Sequence, residues 1–273
     1  FLTVSTADSL RAQFEKLRMN GWVRNEADQP VHYLPIAHTL DMKQHQMIPF
    51  RGFEFGYRPS DVTGADRLVY DTRKPWEKPV KYYNHYVATD SIQVPKAYII
   101  PFAYDDVIQK LKRNGIVLRN VPIDTLVSMR VSYILDYKTV SHPYEKHYLH
   151  HSVKTRDTVI QVMVRAGDVV AVVKPDNERF LTAVLEPRAA DSYFAWNAFD
   201  GILQQKEGYS DYVFEDKAAA WLKTHPEKYA ELQRKKAQDP AFAKDAWAQL
   251  NWVYKQTEHY EPTHNLYPIY RVD

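Results

Sequence analysis

The sequence has no cysteine. Disulfides, Cys-ligated zinc and thiol nucleophiles are excluded with it, so packing and hydrogen bonding have to hold the fold. Glycine is scarce, at 8 in 273 residues, and neither a Gly-rich phosphate loop nor a Gly-x-Ser-x-Gly elbow occurs. No window comes near the roughly 18 uninterrupted apolar residues of a transmembrane helix, so no membrane span is expected. An excess of one charge is lacking too: 36 basic and 34 acidic residues leave a formal +2. Nucleic acid is therefore not an expected partner, since phosphate binding needs a basic face. The one compact basic run, Arg234-Lys235-Lys236, follows Glu231 on a predicted helix and reads as a solvated face.

What is abundant is aromatic: 14% of the chain, with 20 tyrosines. They suit a Tyr-rich sheet and its rim, and also a surface on which a sugar or peptide stacks. The length allows one large domain or two modest ones. The opening Phe1-Leu2-Thr3-Val4-Ser5-Thr6 is too short and uncharged for a signal peptide, and a chain starting at Phe is expected to be processed or partial.

Ser5 or Thr6 can cap a helix over 5–22, with Leu10, Phe14 and Leu17 on one face and Gly21 as its stop. Residues 23–44 show no period and read as an irregular linker. From Gln46 the pattern turns strand-like: after Pro49, Phe53, Phe55 and Tyr57 alternate onto one side, and Pro59 to Gly64 is turn chemistry. Further strands are expected at 67–70, 81–87 and 97–100, with a loop over 71–79. A short helix at 104–114 aligns Tyr104, Val107, Ile108 and Leu111 before Gly115 ends it. Met129, Val131, Tyr133, Leu135 and Tyr137 make the clearest period-2 run. Residues 158–165 and 168–173 are expected to pair as a hairpin turning at Ala166-Gly167-Asp168.

Beyond Pro187 the texture becomes helical. Asp191 or Ser192 is placed to cap a helix whose face carries Phe194, Ala195, Ala198, Phe199, Ile202 and Leu203. So apolar a face has to dock on something earlier in the chain. Residues 212–223 form a second helix, Thr224-His225-Pro226-Glu227 has the form of a capping box, and Asp239-Pro240 opens another helix running to Val253 or Tyr254. The end, Tyr260 to Pro268, is expected to drape over the surface and finish extended. The predicted class is α+β: an antiparallel β-sandwich-like module followed by a C-terminal helical segment packed against it. Its predicted division is 1–45 (helix and linker), 46–185 (β-rich, one short helix) and 186–273 (helical).

Three stretches of this tail carry a family likeness. Leu185-Glu186-Pro187, Asp191-Ser192-Tyr193-Phe194-Ala195-Trp196-Asn197 and Tyr212-Val213-Phe214-Glu215-Asp216 resemble the C-terminal, non-catalytic region of bacterial M14-type zinc carboxypeptidases. Gly56 to Gly64, Pro95 to Pro101 and Asp136-Tyr137 fit the same region, so the resemblance covers about 46–273 in patches. It implies an accessory chain that supports or shapes a peptidase domain lying upstream, in a periplasmic or extracellular protein. The peptide substrate and the zinc would belong to that domain, and no cofactor to this chain. No catalytic or zinc-binding residue of the family has a matching position here, so none is nominated.

In the same family a His-x-x-Glu pair supplies two of three zinc ligands, and His142-Pro143-Tyr144-Glu145 has that form. However, Pro143 sits inside it between strands, and no third ligand, substrate-binding arginine or general-base glutamate follows in order. The segment His142 to His147 also fits a family stretch outside the active site. A wider group, His142, His147, His150 and His151, has spacing that takes a divalent metal if the backbone gathers it; otherwise it is a polar, Tyr-rich edge. The metal-ligand candidates are therefore His142, Glu145, His147 and His151. A different function class fits the aromatic content: a free-standing β-sandwich module binding glycan or peptide.

Overall fold

Hydrogen-bonding partners distant in sequence decide most of this architecture. The computed structural model describes residues 32–273, which fall into two compact units, 32–93 and 94–273. The helix predicted over 5–22 lies outside the described residues.

The first unit is a nested pair of hairpins. Strand β1 (Tyr33–Leu40) pairs antiparallel with β4 (Tyr86–Gln93), and between them β2 (Gln46–Pro59) pairs with β3 (Asp66–Tyr82). The β2–β3 turn is tied by Ser60, whose hydroxyl accepts from the N–H groups of Val62 and Thr63, and Gly64 takes the left-handed conformation (φ +72°). Residues 33–40, expected to be irregular, are strand because β4 supplies a ladder that local periodicity does not reveal. Likewise 71–79 is no loop. Pro75 and Pro79 stand opposite Phe53 and Pro49, and only the register shift at Phe53/Glu54 interrupts the pairing. At Gly52 the Trp76 ring lies where a Cβ would be, at 2.5 Å.

The second unit centres on one six-stranded antiparallel sheet. Its strands are β5 (Ala97–Ile100), β6 (Leu118–Asn120), β7 (Thr125–Thr139), β8 (His150–Val164), β9 (Val169–Val172) and β10 (Tyr270–Val272), in the order β6-β9-β5-β10-β7-β8. One face meets α1 (Asp105–Arg113) and α2 (Glu178–Leu185) through Tyr98, Ile100, Val107, Leu111, Ala171, Leu181 and Leu185. The other buries Ala97, Ile99, Met129, Val131, Val162, Val164 and Val170. Helices α3 (Asp211–Thr224), α4 (Pro226–Gln238), α5 (Pro240–Lys244) and α6 (Ala246–Tyr254) form their own small core around Phe214, Leu232, Phe242 and Tyr254. The fold is thus α+β, with antiparallel sheets and helices concentrated toward the C-terminus. No described helix is long and apolar enough to cross a membrane.

Several local expectations are corrected. The segment 191–203 is a series of tight turns ending in a 3-10 turn at Asp200–Ile202. Asn197 in the left-handed conformation (φ +66°) stops any helix from propagating. Strands β8 and β9 do not pair with each other. Buried Asp168 accepts from the N–H groups of Phe102 and Arg165, pinning the turn beside the end of β5, so β9 joins β5. Strand β7 is covered on both faces, so Ile134 is buried as well as Met129 and Val131. Register shifts between Ile134 and Lys138 leave Leu135 61% exposed and bring Tyr137 to the side of Ile134, breaking the simple alternation. Thr224 does not cap α4, since its hydroxyl bonds the Trp221 carbonyl. Asp239 caps α5, but a second cap at Asp245 splits the helix predicted to continue from it.

Candidate functional site

The His-rich loop and the segment that opens the helical tail, far apart in sequence, meet in space. The end of β7 pairs with the start of β8, Thr139 opposite His150, and the loop between folds back at Tyr144 to His147. Those two residues exchange both backbone hydrogen bonds, at 2.9 Å each, around Glu145 (φ +47°) and Lys146 (φ +72°), a two-residue turn with both central residues left-handed. The turn places His147 against the Trp196 ring (5.5 Å between centroids), with Tyr144 nearby (6.2 Å).

His150 is the centre of the junction. Its side chain is buried, with Tyr137 at 4.7 Å and Phe194 at 5.2 Å, and its backbone N–H donates to the Ala195 carbonyl. Nδ1 lies 2.9 Å from the Thr139 hydroxyl. Nε2 lies 3.1 Å from Asp200 Oδ1 and 3.2 Å from Asn197 Nδ2. A proton on Nε2 satisfies Asp200, and Nδ1 then accepts from Thr139. Asn197 also donates to the Tyr148 carbonyl at 2.9 Å, while its buried Oδ1 has no partner among the described residues. A hydroxyl, an imidazole and a carboxylate in line resemble a nucleophile relay. Here both ring nitrogens are engaged and the ring is shut between two aromatics, so the arrangement straps 191–203 onto the sheet.

The metal candidates are not gathered. Glu145 occupies the turn tip, His142 is exposed in the loop before it, His147 is held against Trp196, and His151 bonds the Ser152 hydroxyl. Among the described residues no three His, Asp or Glu side chains converge as a metal site.

A second polar cluster, which sequence reasoning missed, crosses the sheet. Tyr98 Oη donates to Glu186 Oε1 at 2.9 Å. Arg271 reaches Glu186 Oε2 at 3.1 Å and Asp157 Oδ2 at 2.6 Å, and Ser132 donates to Asp157 Oδ1 at 2.7 Å. Burial pushes the Glu186 carboxyl above its usual range, more than Arg271 and Tyr98 pull it down. Partial burial also raises Asp157, but the hydrogen bond and charge of Arg271, with Ser132, outweigh it and leave that carboxyl low. The guanidinium opposes burial with its two carboxylate partners and is held above its usual value. Only the Pro after Glu186 hinted at this role, by ending α2 on a residue that turns inward. Compared with family models, curated proteins and solved structures, the chain matches none.

Proposed function

We propose that this chain is a non-catalytic accessory region of an M14-like zinc carboxypeptidase, supporting or shaping a peptidase domain upstream. One observation carries the reading: the segments that resemble that family spend their polar groups on closing the fold. Glu186 is consumed by Tyr98 and Arg271, Asn197 donates to the Tyr148 carbonyl, and Tyr137 and Phe194 enclose His150. Zinc chemistry, which needs three ligands and an open position for water, is assigned to the upstream domain.

The test is metal analysis of the purified chain, together with C-terminal trimming of peptides followed by mass spectrometry. The expected result is neither stoichiometric zinc nor trimming, with both present once the upstream domain is in the same polypeptide. Stoichiometric zinc with trimming that is lost in His142→Ala would overturn the proposal. One observation favours a second reading, capture of a glycan or peptide: Tyr144, 58% exposed, stands beside Trp196, and Tyr148 in the same loop is 51% exposed. Retention of the parent chain on a glycan array, abolished by Trp196→Ala, would select it.

A further inference from the structure

The outer half of the β2–β3 hairpin gathers apolar side chains on one face, and among the described residues that face stays exposed. Directly opposed residues of an antiparallel pair share a face, and successive residues alternate. The register Phe53 to Pro75, Phe55 to Tyr70 and Tyr57 to Leu68 therefore gathers six apolar side chains on one face of the outer half. The edge-on contact of the Phe55 and Tyr57 rings, at 6.3 Å, agrees with that placement. The opposite face is charged: Glu54 stands against Asp71 and Arg58 against Arg67, with Lys78 and Arg73 as partners of the two carboxylates at 3.6 and 3.0 Å. Phe53, Phe55, Tyr57, Leu68 and Tyr70 remain 40%, 63%, 66%, 44% and 58% exposed. A contiguous patch of that size is at the upper end of what a monomer shows and is often functional, and a two-stranded hairpin without cover is marginal in water.

We propose that this face is a homodimer interface, the apolar sides of two β2–β3 hairpins packing together about a twofold axis. A twofold contact needs one patch that complements itself. The six side chains carry no ionised group, and the face is bounded by the Arg51–Glu77 ion pair at one end and by Asp66 at the other. Taking roughly 200 Å² for a large aromatic side chain, the exposed portions come to on the order of 550 Å² per copy. A symmetric pair then buries about 1,100 Å², just above the roughly 1,000 Å² that a specific interface has to clear. The hairpin edges are the other route to association, and prolines obstruct it. Pro49 and Pro59 in β2 and Pro75 and Pro79 in β3 each lack the N–H that an added strand would use. Face-to-face packing is what remains.

The absence of cysteine makes the test direct. Single-cysteine variants Phe55→Cys, Tyr57→Cys and Tyr70→Cys report on the apolar face under mild oxidation. Gly56→Cys reports on the opposite one, where an added Cβ meets nothing within 4 Å. The expected result is a cross-linked species of twice 32.0 kDa from at least one of the first three and none from the fourth. Sedimentation of the parent chain up to about 100 µM, which saturates a micromolar Kd, should give the same doubled mass. Tyr57→Glu with Tyr70→Glu should weaken association at least about 30-fold, as loss of a central aromatic anchor does. Arg58→Ala with Arg67→Ala should leave it unchanged. A monomeric mass throughout overturns the proposal, as does a dimer indifferent to the glutamates. So does a monomer whose aromatic face is taken instead by a peptidase domain supplied in trans. None of these readouts depends on zinc or peptidase activity, so the dimer and the accessory role fail independently.

Discussion

Arg271 is the residue on which the polar interior depends. Its side chain is 8% exposed, and it is the cation that meets both Glu186, 2% exposed, and Asp157. Two carboxylates sharing one guanidinium inside a sheet are stable only while the guanidinium is there. Arg271→Met strands the Glu186 carboxylate, 2% exposed, without its cation, a change that costs about 3–5 kcal/mol. Replacing Glu186 by Gln in the same background should recover part of the loss, because Tyr98 keeps an acceptor and the buried charge is gone. Urea denaturation of the parent, the single variant and the pair measures this. A loss below roughly 1 kcal/mol, the range of an exposed pair, would mean that the cluster is wetter than its burial implies.

At the scale of elements, the sequence was readable wherever structure follows from local period. The helix at 104–114 appears as α1 one residue shorter at each end, with Val107, Ile108 and Leu111 buried. Phe194, Phe199 and Ile202 are buried as expected, although their segment turns rather than coils, because burial follows from apolarity and the left-handed Asn197 from its tertiary bonds. Non-local pairing was not readable: β1 finds β4 across some fifty residues, and His150 finds Asp200 across 50. The C-terminus finishes extended as expected, but the surface course expected for it is wrong. Instead β10 lies between β5 and β7, with Tyr267 and Ile269 almost fully buried just before it. Its three residues carry no pattern of their own, and their place is set by the gap they fill and by Arg271. Deleting residues 270–273 therefore opens the centre of the sheet, and the thermal midpoint should fall by more than about 10 °C or the transition vanish. A truncated chain that melts like the parent would show that β10 is dispensable.

Across the whole molecule, buried phenols set how stability responds to alkali. Burial, reinforced by the Glu186 charge, holds Tyr98 and Tyr267 well above the ordinary tyrosine value, which is about 10. Burial, and then the charge of Asp168, pushes Tyr270 up to about 12. Between the unfolded value and these raised ones, the folded chain keeps protons that the unfolded chain has released. Fewer protons bound in the unfolded state means that stability falls as pH rises, so the loss begins near pH 10 and continues through about 12 for Tyr270. On the acid side the two carboxylates of the cluster oppose each other. The lowered Asp157 contributes stability above its unfolded value, near 3.9, and loses it as pH falls through its folded one. Glu186, raised, is relieved by protonation over its own window, so the acid limb is blunted while the alkaline limb is not. Thermal midpoints measured with rising pH should therefore drop steeply above about pH 10. Tyr270→Phe should make that slope shallower, whereas Tyr212→Phe, at a side chain 84% exposed, should leave it alone. An unaltered slope in Tyr270→Phe would place the titrating phenol elsewhere and sink this account of the alkaline limb.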